Sequence, residues 1–306
     1  MMKPVLKSKI ASAVIYVIAF LVTIGALLIV ATRKPKAVFP AMDKDKTQVL
    51  FLGDSNIDYG FEGEDIPVIL SKKTGMVTYN AAFGGTCAGE LNEFYRASNY
   101  RLVFNLGNLT RMMQTRDFSA ALRNRAFVEQ NMTGIENKTV ILEHLDYEAM
   151  DYVILHYGLN DYAEGEEIEA EDPYLQTTYC GGLRYGIEQM HKLCPNAKII
   201  LSSITFCWNY EDWSENGEEN RISGHDARYG DKNIDGYRDG MKKVAGEYDY
   251  VYFLDNLEGM GINEENADDY IRDDMHFNQD GRELYVEGLT GLLSEIEGRP
   301  VAGTNE

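Results

Sequence analysis

Apolar segments alternate with amphipathic segments from about residue 47 almost to the end of the chain. Five short apolar runs have the pattern of strands that are buried on both faces of a sheet. They lie in the segments 47–55, 76–85, 150–161, 197–206 and 249–256. Segments with a helical pattern lie between and after them, at 63–75, 86–149, 181–196, 236–248 and 278–298. This alternation predicts an α/β fold in which helices cover both faces of a mostly parallel, five-stranded sheet.

Three shorter segments precede this pattern. Residues 1–9 are a short basic tail, residues 10–32 are an uncharged apolar run, and residues 33–46 are a polar linker. At a rise of 1.5 Å per residue the apolar run can cross a bilayer, so it predicts an uncleaved transmembrane anchor; a cleaved signal peptide is the alternative. Basic residues are nearly balanced on its two sides, and the N-terminal amine slightly favours a cytoplasmic N-terminus. We therefore predict a single-pass cell-membrane protein with an extracytoplasmic domain, residues 47–298, and a flexible tail, residues 299–306.

The composition indicates one sizeable globular domain with an acidic surface. The chain has 306 residues, of which 44% are hydrophobic, and its formal net charge is −20. Such a charge repels phosphate backbones, so nucleic acid is not an expected partner. We interpret the excess of acidic residues as a solvated surface that aids solubility.

Four cysteines are scattered along the chain, at Cys87, Cys180, Cys194 and Cys207. Their number and spacing do not indicate a disulfide framework, and the sequence has no Cys-x-x-Cys pair. Cys180 and Cys194 fall at opposite ends of one predicted helix, too far apart to pair. A Cys180–Cys207 disulfide and buried free thiols remain as alternatives.

Small polar clusters follow three of the predicted strands. The clusters are Gly53-Asp54-Ser55, Asn80 with Gly84 and Gly85, and Gly158 with Asn160 and Asp161. Parallel sheets collect their chemistry at the carboxyl ends of the strands, so we expect these clusters to lie along one edge. Asp273 and His276 stand three residues apart, just before the last predicted helix.

These residue types predict acyl-transfer chemistry. A serine hydroxyl such as that of Ser55 is a weak nucleophile until a base takes its proton, and His276 can be that base. Asp273 can hold the imidazole ring and stabilise its charged form. An oxyanion needs preset donors, which the Ser55 N–H, the Gly85 N–H and the Asn160 side-chain amide can provide.

The segments GDSN, NAAFGG, GLND and DDMH, in this order, resemble the four sequence blocks of the SGNH (GDSL-type) hydrolases. The resemblance covers roughly residues 47–298. It implies a flavodoxin-like, three-layer α/β/α sandwich and the hydrolysis or transfer of acyl groups of esters and thioesters. It also implies one role for each matching residue: nucleophile for Ser55, triad members for Asp273 and His276, and oxyanion donors for Gly85 and Asn160.

The resemblance chooses between the two neighbouring carboxylates and has two departures. The family has its acid three residues before the histidine, which favours Asp273 over Asp274. Ala82 stands where the second block commonly has glycine, and the stretch from Gly85 to Asn160 is longer than in compact members. Because of this longer stretch, the resemblance does not define the shape of the substrate cleft.

Each residue also has a structural interpretation when taken alone. Ser55 could be a helix N-cap, Asn160 a turn former and His276 a surface residue. Their joint occurrence favours catalysis. We expect Asp54 to bond loop backbone and Asp161 to be a turn or cap residue.

The sequence DKNIDG, residues 231–236, has the polar spacing of a calcium loop. Lys242 stands at the twelfth position, where calcium binding requires a bidentate glutamate. We therefore predict a turn that starts a helix rather than a metal site, and the sequence indicates neither a metal nor another cofactor.

These observations favour a membrane-anchored serine esterase that cleaves a carboxylic ester of a small molecule, a cell-surface glycan or a lipid. Acyl transfer to a cell-surface glycan is a second hypothesis, in which a sugar hydroxyl replaces water. A non-catalytic binding module that keeps the fold is the third.

Overall fold

The computed structural model describes residues 42–58, 63–90, 103–122, 134–210, 220–228 and 232–301. The predicted anchor, residues 10–32, lies outside these ranges, as do residues 1–9 and residues 302–306. No helix within the described ranges is long and apolar enough to cross a membrane.

Nine strands and eleven α-helices are found among the described residues. The strands are β1 (Gln48–Gly53), β2 (Val77–Asn80), β3 (Tyr152–His156), β4 (Lys198–Ser202), β5 (Trp208–Tyr210), β6 (Arg221–Ser223), β7 (Val251–Leu254), β8 (Ile271–Asp273) and β9 (His276–Phe277). The helices are α1 (Ser55–Asp58), α2 (Ile66–Thr74), α3 (Leu106–Thr115), α4 (Ser119–Leu122), α5 (Ile135–His144), α6 (Leu159–Ala163), α7 (Tyr179–Leu193), α8 (Ile234–Ala245), α9 (Asn256–Gly259), α10 (Ala267–Tyr270) and α11 (Gln279–Glu297), with a 3₁₀ turn at Tyr147–Ala149.

The central sheet has five strands, all parallel, in the order β2-β1-β3-β4-β7. Strand β1 pairs with β2 on one side and with β3 on the other, so that Leu50 lies opposite both Tyr79 of β2 and Val153 of β3. Every residue of β1 is buried, which explains why its run from Val49 to Leu52 is apolar without alternation. The predicted parallel five-stranded sheet is confirmed.

Helices cover the sheet in two groups. The chain passes from β1 to β2 through α2 in one direction, and from β3 through β4 to β7 by way of α7 and α8 in the other. Right-handed crossovers in opposite directions place these helices on opposite faces. Accordingly, α11 packs on α2, and α7 packs against both α3 and α8. The result is a three-layer α/β/α arrangement.

Two antiparallel pairs, which the sequence pattern does not predict, lie outside the sheet. Strand β5 pairs with β6, and β8 pairs with β9 so that Asp273 is opposite His276. Strands of two or three residues are too short to show an alternating pattern. The second pair is the element that carries the predicted acid and base.

Local features of the described residues settle two smaller predictions. Helix α8 begins directly after Asn233, whose side chain accepts a hydrogen bond from Gly236 N, so a turn does start a helix here. All four cysteines are buried and none forms a disulfide. The Cys180–Cys207 disulfide alternative is therefore wrong.

Candidate active site

Ser55 is the first residue of α1 and follows the carboxyl end of β1. Strands β1 and β3 approach closely at Gly53. A Cβ at this position would come within 2.6 Å of the His156 carbonyl oxygen, which only glycine avoids. Asp54 N donates to the same carbonyl at 3.2 Å, and the Asp54 side chain accepts a hydrogen bond from Asn56 N at 3.0 Å. Asp54 therefore bonds backbone as expected, but in the first turn of α1 rather than in a loop. Ser55 is thus held at the edge of the sheet, with 7% of its surface exposed.

Burial also affects the carboxyl group of Asp54. It raises the pKa of Asp54 to about 7, although the hydrogen bond from Asn56 N and the charge of His276 act in the opposite direction. A buried carboxyl group directly before Ser55 therefore titrates near neutrality.

A chain of hydrogen bonds joins Ser55, His276 and Asp273. His276 Nε2 lies 2.8 Å from Ser55 Oγ, and His276 Nδ1 lies 2.8 Å from Asp273 Oδ1. The His276 backbone N–H also donates to Asp273 Oδ1, at 3.0 Å. When Nδ1 donates to the carboxylate, Nε2 is the nitrogen that can accept the hydroxyl proton of Ser55.

Asp273 has the charge state that this arrangement requires. Burial alone opposes ionisation of its carboxyl group, but the hydrogen bonds and charge of His276, with a contribution from Arg272, hold the pKa of Asp273 below its usual value. A lowered pKa contributes stability that is present above the ordinary value of 3.8 and is lost as the pH falls through the folded value. At neutral pH Asp273 is therefore a charged acceptor.

Asp274, the neighbouring carboxylate, has other partners. Its Oδ2 accepts a hydrogen bond from the Tyr210 hydroxyl at 2.9 Å, and its Oδ1 lies 3.0 Å from an Arg221 guanidinium nitrogen. Both partners belong to the β5–β6 pair, so Asp274 links that pair to the turn that carries His276. Of the two carboxylates, the one hydrogen-bonded to His276 is Asp273.

The three predicted oxyanion donors lie at the carboxyl ends of the neighbouring strands β1, β2 and β3. Gly85 lies in the turn after β2 with a φ of 75°, a conformation that favours glycine. The Asn160 side-chain amide donates to the Thr86 carbonyl at 3.1 Å, which places it beside this turn, and it has a second hydrogen to donate. Among the described residues, no acceptor receives the N–H of Ser55 or of Gly85.

A buried lysine–aspartate pair that sequence reasoning missed supports the turn before Gly85. Lys138 of α5 is buried, donates to the Asp58 carboxylate and also donates to the Ala82 carbonyl at 2.6 Å. Asp58 Oδ2 accepts a hydrogen bond from Gly84 N at 2.7 Å. Burial lowers the pKa of Lys138 to about 7. In the sequence a lysine on a helix indicates a solvated face, and only the fold shows that this one is enclosed.

Asn56 is a second residue to which the sequence assigned no role, although it is the last residue of the GDSN segment. Its Oδ1 accepts a hydrogen bond from Phe277 N at 3.1 Å, and its Nδ2 donates to the Met275 carbonyl at 3.3 Å. These two peptide groups flank His276. Asn56 therefore holds the histidine turn against the helix that begins with Ser55.

For the predicted ester hydrolysis, we expect Asn56→Leu to lower kcat by about tenfold or more and to leave KM within about twofold, because a small displacement of the predicted base is costly. Leucine has a similar size but cannot bond the peptide groups beside His276. The buried Phe277 N–H loses its acceptor, which should also reduce the free energy of unfolding by about 1–3 kcal/mol. Steady-state kinetics and denaturant unfolding measure the two effects. Asn56→Asp, which keeps the acceptor, should lose less; an unchanged kcat in Asn56→Leu would contradict this role.

Asp161 has a different structural role from the one the sequence suggested. Its carboxylate accepts hydrogen bonds from Ala88 N and Gly89 N, so it links α6 to the loop after β2 rather than forming a turn or a cap. Asp161 also lies near Cys87 and Glu166, three residue types that can bind metals, with ligand atoms within 4.8 Å of one another. Because the Asp161 oxygens already accept backbone N–H groups, we assign no metal to this group.

The fold and the site together define an α/β protein with a Ser-His-Asp chain at the carboxyl edge of a parallel sheet. The model of the GDSL-like lipase/acylhydrolase family matches residues 51–284, and the chain belongs to that family. The family resemblance inferred from the four sequence segments is therefore confirmed.

Solved structures share the fold at low sequence identity. A protein from Lactobacillus plantarum superposes with a TM-score of 0.55 at 14% identity, covering 82% of this chain and 97% of that one. A structure named as a possible lipase from Chitinophaga pinensis has a TM-score of 0.51 at 13% identity, covering 82% and 99%. The comparison with curated proteins gives no match. At these identities the likeness extends to the fold alone.

Proposed function

We propose that this protein is a serine esterase that hydrolyses carboxylic esters with Ser55 as nucleophile, His276 as general base and Asp273 as its orienting acid. The observation that carries the proposal is the hydrogen-bonded chain from Ser55 Oγ through both ring nitrogens of His276 to Asp273. Membership of a family of lipases and acylhydrolases supports the same reaction class.

The first half of the reaction acylates Ser55. His276 Nε2 takes the hydroxyl proton as Ser55 Oγ attacks the ester carbonyl, and Asp273 stabilises the imidazolium that forms. The negative charge on the former carbonyl oxygen is stabilised by the N–H groups of Ser55 and Gly85 and by the Asn160 amide. His276 then gives its proton to the departing alcohol.

The second half regenerates the enzyme. A water molecule gives its proton to His276 as its oxygen attacks the acyl-Ser55 carbonyl. The same three donors stabilise the second oxyanion. When that intermediate collapses, His276 returns the proton to Ser55 Oγ and the carboxylic acid leaves.

The reaction class is tested with the purified full-length protein and p-nitrophenyl acetate, followed by release of p-nitrophenolate. A series of esters from acetyl to palmitoyl then defines the acyl group. If an added saccharide acceptor becomes acylated at the expense of hydrolysis, the activity is acyl transfer. If no ester in the series is turned over, the protein is a binding module with this fold.

We expect Asn160→Ala to lower kcat by about 10²–10³-fold with a much smaller effect on KM, because an oxyanion donor acts mainly in the transition state. Steady-state kinetics on p-nitrophenyl acetate measure the split. Asn196→Ala is the matched control, since its amide is exposed and makes a long contact of 3.5 Å to the Glu148 carbonyl. An effect of Asn160→Ala confined to KM would mean that Asn160 binds substrate instead.

We further propose that residues 10–32 anchor the protein in the cell membrane with the catalytic domain outside, where esters of glycans or lipids are the available substrates. The uncharged apolar run supports this proposal. Mass spectrometry of the purified membrane fraction should find peptides from residues 1–9. A mature N-terminus at residue 32 or beyond would identify the run as a cleaved signal.

A further inference from the structure

The loop formed by residues 85–89 follows β2 and carries one proposed oxyanion donor at its first residue. Its far end is bound to α6 by Asp161, whose Oδ1 accepts hydrogen bonds from Ala88 N and Gly89 N, both at 2.9 Å. Glu166 lies against the same point, and its N–H donates to the Asp161 carbonyl at 2.9 Å. The Glu166 carboxyl group is so close that a Cβ at Gly89 would collide with its Oε2. Two carboxyl groups therefore enclose the end of the loop.

The carboxyl groups of Asp161 and Glu166 lie together, with oxygen atoms within 4.8 Å of each other. Asp161 is fully buried, and both Glu166 oxygens are buried without an N–H donor from the described residues. Two buried carboxylates at this separation repel each other, so one of them keeps a proton. Backbone N–H groups stabilise the charged form of Asp161 and not that of Glu166, which places the proton on Glu166.

The pKa shifts of the two carboxyl groups also favour a proton on Glu166 rather than on Asp161. Burial raises the pKa of Asp161 to about 6, with the N–H groups of Ala88 and Gly89 acting against the rise. Burial raises the pKa of Glu166 well above its usual value, and the charge of Asp161 raises it further. Both shifts therefore favour a proton on Glu166 over one on Asp161.

The position of the loop matters for the proposed reaction because both of its ends meet α6. Near the first end, the Asn160 amide donates to the Thr86 carbonyl at 3.1 Å. At the other end Asp161, the next residue of α6, binds the loop backbone. The separation between the Gly85 N–H and the Asn160 amide thus depends on both the Asn160–Thr86 bond and the contacts of the Asp161 carboxylate. A charge on Glu166 would disturb those contacts.

We propose that Glu166 is a positioning residue for ester hydrolysis, whose neutral carboxylic acid donates a hydrogen bond to the Asp161 carboxylate and so fixes the 85–89 loop relative to Asn160. Glu166 itself touches neither the substrate nor the reacting atoms. The proposal rests on the proposed esterase function, because the loop and Asn160 supply two of the three oxyanion donors.

A bound cation is the competing explanation for two adjacent buried carboxyl groups. The donor set argues for the proton, since Asp161 Oδ1 and Oδ2 already accept the Ala88 N–H at 2.9 and 3.1 Å, and Oδ1 also accepts that of Gly89. A proton on Glu166 gives one of its two buried oxygens a hydrogen-bond partner without displacing these bonds.

Several ionisable groups of the packed elements lie close enough to the pair to bear on its titration. They are Cys87 of the loop, Asp54, Tyr157 and Glu164 near the strand ends and α6, Tyr179 of α7 and Tyr237 of α8. Glu167, Glu169, Lys232, Asp239 and Lys243 line the surface pocket beside Glu166 without an interaction with the pair. Burial raises the pKa of the three tyrosines well above the usual range, so they stay neutral. Asp54, with a pKa of about 7, titrates close to the range of interest, so the test compares variants at Glu166 rather than the wild-type profile alone.

The test measures kcat and KM of the full-length protein with p-nitrophenyl acetate across neutral and alkaline pH. We expect wild-type kcat to fall on the alkaline side as rising pH removes the proton of Glu166, whose pKa is raised. Glu166→Gln keeps a donor for Asp161 and should retain most of the activity without that alkaline fall. Glu166→Ala should lose about ten- to a hundredfold in kcat with little change in KM. Glu167→Gln makes the same substitution at an exposed neighbouring residue and should behave as wild type.

A second measurement tests the pair without relying on activity. The folded protein holds a proton that an unfolded glutamate releases above its ordinary value of 4.5, so the stability from this group falls as the pH rises from there towards the raised folded value. The decline of Tm with pH should therefore be shallower in Glu166→Gln than in wild type or Glu167→Gln. If no ester is hydrolysed but this difference is seen, the esterase proposal fails while the protonated pair stands.

Three results would overturn the proposal. The first is an alkaline fall in kcat that persists in Glu166→Gln. The second is an equal loss of kcat in Glu166→Gln and Glu166→Ala. The third is loss of activity on treatment with EDTA that is restored by zinc, which would assign the cluster to a metal ion. If Glu166→Ala fails to fold, the pH profile and the Tm series of Glu166→Gln still decide.

Discussion

Ser55→Ala should abolish ester hydrolysis, with a loss of about 10⁴-fold or more in kcat/KM, while the protein keeps its fold. The substitution removes the oxygen that His276 Nε2 contacts at 2.8 Å. Without it the reaction can proceed only by direct attack of water on the bound ester. Initial rates of p-nitrophenyl acetate hydrolysis at substrate concentrations well below KM give the residual kcat/KM.

The stability of Ser55→Ala should be close to that of wild type, because one hydroxyl is removed and the backbone of α1 is unchanged. We expect a shift in Tm of a few degrees at most, equivalent to about 1 kcal/mol for one lost hydrogen bond. Ser71→Ala is the matched control. Ser71 lies on α2, away from the site, and its hydroxyl donates to the Met76 carbonyl at 2.8 Å. Retention of a tenth of the wild-type rate in Ser55→Ala would remove Ser55 from the mechanism.

The strand pattern made much of the fold predictable. The run from Val49 to Leu52 is apolar because both faces of β1 are covered, and each of the other four sheet strands lies within its predicted segment. Functional polar residues are expected where these strands end, because parallel sheets carry their sites at the carboxyl ends of the strands. The positions of Ser55, Gly85 and Asn160 could therefore be predicted from the order of the strands and the family resemblance.

Contacts between distant parts of the chain could not be predicted in the same way. Asp274 has the same local sequence environment as Asp273, and its bond to Tyr210 depends on the β5–β6 pair, which is too short to leave a pattern. Lys138 and Glu166 are charged residues that a sequence assigns to solvent. The burial of Lys138 and of the Glu166 carboxyl oxygens results from packing between distant parts of the chain.

Asp273→Asn should lower kcat by about 10²–10⁴-fold, up to the loss known for the corresponding change in a buried triad. An asparagine at this position carries no charge to stabilise the imidazolium, and its amide can donate to His276 Nδ1 and so stabilise the wrong tautomer. Because the pKa of Asp273 lies below its usual value, the wild-type carboxylate is charged throughout the neutral range. The loss should therefore be present at every pH used for the assay.

Asp274→Asn is the matched control, since it makes the same change one residue further on, where the carboxylate binds Tyr210 and Arg221 instead of His276. It should leave kcat within about threefold of wild type, because a charge that contacts no reacting group contributes little to the transition state. If Asp274→Asn is the damaging change and Asp273→Asn is tolerated, the hydrogen bond at 2.8 Å does not identify the working carboxylate. If both are tolerated, His276 activates Ser55 as a dyad, with the backbone of the β8–β9 turn and Asn56 holding the ring in place.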